Sequence, residues 1–162
     1  MKHPISLDHF KNQTLLLVGI GNVLKKDDGV GVYITNNIEH TDFIHPLTVE
    51  VSIENYIGKI NQIDTHLLIL IDAMDFRKAP GYWKILPIQH ISGFTTHTHN
   101  ITLDKVAELF RHKTYVLGIQ PENIQLGEGL TSRVKESADS IIQQIASLFP
   151  NKVFEKQIFR YK

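Results

Sequence analysis

The sequence predicts a single α/β domain whose mostly parallel sheet is covered by helices on both faces. Its 162 residues suit one domain. Two segments, LLLVGI and HLLILID, are continuous apolar runs, which are typical of parallel strands buried on both sides. Stretches with helical periodicity lie between the strands, and this alternation predicts a doubly wound sheet.

The individual elements follow from local patterns. Four segments have the composition of parallel strands: residues 14–20, 47–53, 66–72 and 114–119. A fifth segment, 81–86, alternates apolar and polar residues after a Pro-Gly turn signal, which predicts an edge strand. Apolar residues recur at helical spacing over 30–38, 103–110 and 134–149, with a weaker helix at 55–63. We expect one domain over 1–162, with a core from about 14 to 149 and a tail at 150–162.

Composition excludes several classes of protein. Lys plus Arg and Asp plus Glu both number 17, which argues against a general nucleic-acid binder. The absence of cysteine excludes a disulfide scaffold, a thiolate metal site and a cysteine protease. The longest apolar runs are far shorter than the roughly 20 residues of a membrane span. We therefore expect a cytoplasmic monomer without membrane insertion.

The loop after the first strand, GIGNVLKKDDGVG, begins like a dinucleotide-binding fingerprint. The third glycine of that fingerprint would stand at Leu24. A pyrophosphate at the following helix would also face the carboxylates of Asp27 and Asp28. The sign of these charges argues against a nucleotide site.

The two adjacent aspartates invite two different interpretations. An aspartate at a helix start accepts backbone N–H bonds and suits the positive end of the helix dipole. We expect Asp27 to serve as this cap. Asp28 is then available to point into a cleft.

Further polar residues follow later strands. Asp72 ends the apolar run HLLILID, at the edge where doubly wound sheets hold their sites. It could equally form an Asx-turn. His97 and His99 are two residues apart, so they point the same way in an extended segment. Both could also be ordinary loop residues.

Carboxylate oxygen together with imidazole nitrogen suits a divalent first-row metal ion. The chain contains neither a G-x-S-x-G nucleophile motif nor an H-E-x-x-H zinc motif. The residues by themselves predict a metal site or an acid/base site in an α/β domain.

Four segments together resemble the maturation endopeptidases of [NiFe] hydrogenases. The family's opening signature, G-x-G-N-x-L-x-x-D-[DE]-x-x-G, is similar to the first loop. LLILIDAMDFRKAPG, THTHNITL and YVLGIQPENIQLGEGLTSRV resemble its later signatures, the last being closest to the branch acting on hydrogenases of formate-hydrogenlyase type. The fixed positions of the opening signature are met by Gly19, Gly21, Asn22, Leu24, Asp27, Asp28 and Gly31.

The resemblance implies a five-stranded twisted sheet flanked by helices. It implies that Asp28, Asp72 and His99 are both the catalytic and the metal-binding residues. The implied reaction is one peptide-bond cleavage, which removes the C-terminal extension of a nickel-loaded large-subunit precursor. Nickel would be recognised in that precursor, with weak or no binding by the free enzyme.

Some alternatives stay open from the sequence. Water could be activated by the metal ion, or the two aspartates could act as a general acid/base pair of aspartic type. A non-catalytic checkpoint for the nickel site would use the same three residues, and a metal-dependent hydrolase of small substrates would need no protein partner. The chain also departs from the family after its second strand, where SIEN replaces a frequent Gly-rich turn. This departure leaves the precursor undetermined.

Overall fold

The central feature of the fold is one five-stranded sheet. The computed structural model describes residues 5–92, 94 and 102–149. The strand order is β2-β1-β3-β5-β4, in which β4 alone runs antiparallel to its neighbour. The strands are β1 (Leu15–Ile20), β2 (Ile44–Glu50), β3 (Leu67–Ala73), β4 (Trp83–Pro87) and β5 (Lys113–Ile119). The predicted edge strand is therefore confirmed as β4.

Helices cover both faces of this sheet, as the sequence predicted. They are α1 (Val30–Asn36), α2 (Ile57–Gln62), α3 (Leu103–Ala107) and α4 (Ser132–Ala146). Alternate side chains of β1 point to opposite faces. Leu15 and Leu17 belong to the apolar cluster under α1 and α4, whereas Leu16 and Val18 belong to the cluster with α2 and α3. Both clusters exclude water, so β1 and β3 are buried along their whole length.

The position of β2 differs from the prediction. We expected residues 47–53, but the strand is Ile44–Glu50 and contains Pro46. Proline cannot donate to a sheet ladder, yet it is tolerated on an edge strand, whose outer side needs no donor. β2 is such an edge. After Glu50, which has a φ of 54°, the chain turns into a 3-10 helix over Ile53–Tyr56.

The weaker helix predicted at 55–63 exists as this 3-10 turn followed by α2. No helix in the described residues is long and apolar enough to cross a membrane. The extent of the domain over 1–162, including its tail at 150–162, stays a prediction, because residues 1–4 and 150–162 lie outside the described part.

Candidate active site

The candidate site lies at the carboxyl edge of the parallel strands. β1 ends at Ile20, and a loop then leads into a 3-10 turn, Lys26–Gly29, that carries Asp27 and Asp28 directly before α1. β3 is next to β1 in the sheet and carries Asp72 as its penultimate residue. Because parallel strands end at a common edge, the fold places both predicted aspartates there.

Glycine allows this turn to approach the sheet closely. A Cβ added to Gly31 would lie 2.0 Å from the carbonyl oxygen of Ile71, the residue before Asp72. A Cβ added to Gly21, whose φ is 136°, would lie 1.8 Å from the carbonyl oxygen of Asp28. Any side chain at these positions would push the turn away from the strand ends. The two glycines of the signature therefore help to bring Asp28 to the edge that holds Asp72.

Asp28 is completely buried and only half satisfied. Its Oδ2 accepts a hydrogen bond of 3.0 Å from the backbone N–H of Asn22. Its Oδ1 is buried without a hydrogen-bond partner in the described part of the chain. A buried carboxylate normally has all its oxygens hydrogen-bonded or bound to a metal ion. Asp28 therefore has one buried oxygen whose hydrogen-bonding capacity is unused within the described part of the chain.

Asp72 is also buried, with 3% of its surface exposed. Its Oδ1 accepts a hydrogen bond of 2.9 Å from the backbone N–H of Ala73. This contact holds the carboxylate at the strand end. This contact is compatible with a role in the site, because each carboxylate oxygen can accept more than one bond.

Asp27 does not cap a helix, so this prediction is wrong. Neither the 3-10 turn nor α1 has a side-chain cap at its start. The Asp27 carboxylate instead accepts bonds from the segment that follows β5. Its donors are the backbone N–H groups of Glu122, Asn123 and Thr131, at 2.9, 2.9 and 2.7 Å, and the Thr131 hydroxyl. The hydrogen bonds of Asp27 thus hold the turn that carries Asp28 against the loop that follows β5.

A second polar contact that the sequence analysis missed orders the loop after Asp72. Gln120 is buried, and its Oε1 accepts bonds from the backbone N–H groups of Phe76 and Lys78, at 2.7 and 3.3 Å. Its Nε2 donates to Asp75 at 3.2 Å. The backbone N–H of Arg77 and then the Gln120 amide hold the pKa of Asp75 below its ordinary value of 3.8. Gln120 follows the end of β5, so the rule that pointed to Asp72 could also have found Gln120.

The third predicted ligand, His99, lies outside the described residues, as does its alternative His97. Within the described part of the chain, no three His, Cys, Asp or Glu side chains are grouped as a metal site would need. The structure therefore places two of the three predicted site residues at one edge, and His99 stays a prediction.

A match to known proteins decides between the families compatible with this geometry. The family model HycI, described as hydrogenase maturation protease, matches residues 51–148, more than half of the chain. The chain belongs to the hydrogenase maturation protease family. The resemblance noted from the four motifs is confirmed, and the matched region includes Asp72 but begins after Asp28.

Individual relatives of this maturation protease support the same family assignment. The Hydrogenase 2 maturation protease of Escherichia coli is 25% identical over 144 residues, which cover 81% of this chain and 87% of that protein. A crystal structure of the [NiFe] hydrogenase maturation protease HycI from Thermococcus kodakarensis KOD1 superposes with a TM-score of 0.78 at 25% identity. The superposition covers 90% of this chain and 99% of the Thermococcus chain. The endopeptidase HybD of Escherichia coli has the same fold, with a TM-score of 0.65 at 22% identity, covering 85% and 92% of the two chains.

These findings confirm the predicted fold class. They also identify the chain as a peptide hydrolase, so the enzyme interpretation is confirmed over that of a non-catalytic checkpoint.

Proposed function

We propose that this maturation protease removes the C-terminal extension of a [NiFe] hydrogenase large-subunit precursor after nickel has been inserted. Family membership supports the class of reaction. The mechanism is supported by the Oδ1 atom of Asp28, which has no hydrogen-bond partner among the described residues. It is a buried carboxylate oxygen at the carboxyl edge of the sheet, and the other oxygen of the same group accepts a bond from one backbone donor.

The chemistry of this atom fits an ion that arrives with the substrate. Burying a carboxylate is costly unless hydrogen bonds or a metal ion compensate it. In this proposal, the compensation is completed by nickel held in the precursor, and a divalent first-row ion accepts both carboxylate oxygen and imidazole nitrogen. Asp28 and Asp72 would each supply oxygen, and His99 would supply nitrogen.

The substrate's nickel ion would supply Lewis acidity at the scissile bond, and a bound water there can have a pKa of about 7. Asp28 and Asp72 would hold the ion and orient the substrate's peptide. This accounts for cleavage by a chain without cysteine or a nucleophilic serine motif. Without nickel, docking would lose its main polar contact and the precursor would stay uncut.

The decisive experiment compares nickel-loaded and nickel-free precursor with one batch of enzyme, using intact-mass spectrometry. We expect a single cut in the loaded precursor and none in the nickel-free one. Asp28→Asn should abolish cleavage, because an amide has no charge for the ion. Asp64→Asn is the matched control, since Asp64 is exposed in the turn before β3, at the opposite edge of the sheet.

The outcomes separate the possibilities. Equal cleavage of both precursors would refute the requirement for nickel, and Asp28 and Asp72 would then act as an acid/base pair of aspartic type. If neither precursor is cut, the proposed substrate is wrong.

The choice of His99 over His97 needs its own pair of variants. We expect His99→Ala to lose cleavage of the loaded precursor and His97→Ala to retain it. The reverse result would identify His97, and not His99, as the third ligand. A monomeric state and a cytoplasmic location also remain predictions, which light scattering and cell fractionation would test.

A further inference from the structure

The loop before Asp28 and the loop after β5 share an exposed apolar surface. Among the described residues, seven large hydrophobic side chains are exposed, and four of these seven lie on the two loops. We call these four the apolar rim: Val23 at 44%, Leu24 at 56%, Ile124 at 39% and Leu126 at 81% exposure. Apolar side chains that cluster in this way mark interaction sites more often than scattered ones do.

The backbone holds the rim in place. Lys25 and Gly127 form a parallel bridge. The N–H of Gly127 donates to Leu24 and the N–H of Lys26 donates to Gly127, both at 2.9 Å. The buried carboxylate of Asp27 also links the two loops, because it accepts hydrogen bonds from backbone N–H groups of the loop after β5. The side chains of Leu24 and Leu126 are therefore presented on a pre-ordered surface, which lowers the entropy lost on binding.

Charge does not distinguish this surface. Lys25 and Lys26 on the first loop are matched by Glu122 and Glu128 on the second, so these four side chains sum to zero. The surface is therefore characterised by its apolar side chains, and these suit a partner surface that is itself apolar.

The distance to Asp28 indicates which partner that is. Leu24 precedes Asp28 by four residues, so their Cα atoms are at most about 15 Å apart. Val23 is closer still, because a Cβ added to Gly29 would lie 2.9 Å from the Val23 Cα. A standard protein interface buries about 800 Å² per partner, a disc of about 16 Å radius. An interface of this size centred on Asp28 would therefore reach Leu24, and also Leu126, which lies beside the Lys25–Gly127 bridge.

We infer that the apolar rim is the docking surface for the folded body of the precursor, presenting Leu24 and Leu126 to an apolar patch beside the cleavage site. This inference depends on the proposed function, since the partner is the protein that is cut at Asp28. The rim would contribute binding that is equal in the ground state and the transition state, and such binding lowers KM without changing kcat.

The test uses the double variant Leu24→Ser/Leu126→Ser with nickel-loaded precursor. Leu109→Ser is the matched control, because Leu109 is 57% exposed but precedes β5 at the opposite edge of the sheet. We expect the double variant to raise KM about tenfold with kcat unchanged, as for loss of hot-spot contacts. Leu109→Ser should match the parent enzyme, and all variants should melt at the same temperature.

Three results would overturn the inference while leaving the proposed function intact: an unchanged KM in the double variant, an equal rise in Leu109→Ser, or a fall in kcat alone. Light scattering adds a fourth. If the parent chain is a dimer that the double variant dissociates, the rim binds a second copy and not the precursor. A parent enzyme that leaves loaded precursor uncut would refute the proposed function, and the docking surface with it.

Discussion

Replacing Asp27 and Asp28 one at a time should separate stability from activity in two neighbouring residues. Asp27→Ala removes the acceptor of three backbone N–H groups and the Thr131 hydroxyl. Hydrogen bonds to a charged group contribute about 1.5–3 kcal/mol each. The loop can swing out and find water, so we count only the three backbone bonds, at the lower end of this range, and expect a loss of about 4–5 kcal/mol in the free energy of unfolding. At about 2–4 °C per kcal/mol, the melting temperature should fall by about 10 °C.

Asp28→Ala should behave in the opposite way. It removes a single hydrogen bond, from the backbone N–H of Asn22, which at the same lower end contributes about 1.5 kcal/mol. It also removes the buried Oδ1, which has no partner in the described part of the chain, and this relief offsets the loss. The melting temperature should therefore stay within about 4 °C of the parent's, while cleavage of the nickel-loaded precursor is lost.

The assay is a calorimetric melt of each variant, followed by a cleavage time course at a temperature where all variants are folded. Thr131→Val is an intermediate control, because it keeps the backbone donor and loses only the hydroxyl bond to the carboxylate, for about 1.5 kcal/mol. An Asp27→Ala variant that melts like the parent would refute our account of the loop contacts. An active Asp28→Ala variant would refute the assignment of its Oδ1.

Other predictions follow from the packing and the charges. Gly31→Ala should cost at least about 3 kcal/mol of stability, because its Cβ would meet the Ile71 carbonyl at 2.0 Å. Gly58→Ala should instead stabilise the protein by about 0.5–1 kcal/mol, because a Cβ at this position in α2 meets open space. Thermal melts of the two variants test both expectations. The Tyr33 hydroxyl, 2.7 Å away, and then Lys135 lower the pKa of Asp139 from 3.8. The stability from this contact is therefore complete above pH 3.8 and lost as pH falls through the folded pKa. NMR titration should show the Asp139 pKa rising towards 3.8 in Tyr33→Phe.

Much of the fold could be predicted because its signals are local. Continuous apolar runs identify β1 and β3 as buried parallel strands, and the turn signal before β4 identifies an edge. β2 begins three residues before the predicted segment and includes Pro46, which is tolerated because the outer side of this edge strand needs no hydrogen-bond partner. Around Pro46, unlike before β4, no local pattern shows that the strand lies at an edge.

The candidate site could be predicted in part for the same reason. Asp72 ends an apolar run, and Asp28 belongs to a signature whose glycines allow the turn to approach the strand ends closely. Gln120 stands at an equivalent strand end, yet its contacts with Phe76 and Asp75 depend on how the two loops meet. Its role could be suspected from the sequence but not assigned.

The sequence by itself determined the class of fold and the family and predicted the pair of aspartates, because periodicity and a short signature are properties of contiguous residues. Only the tertiary structure decided which aspartate keeps an oxygen without a hydrogen-bond partner among the described residues. The partners of Asp27 lie 95 to 104 residues further along the chain. They reach it because β5 and β1 end at the same edge of one sheet. Three distant backbone N–H groups bind the Asp27 carboxylate, and none of these distant groups satisfies Oδ1 of Asp28.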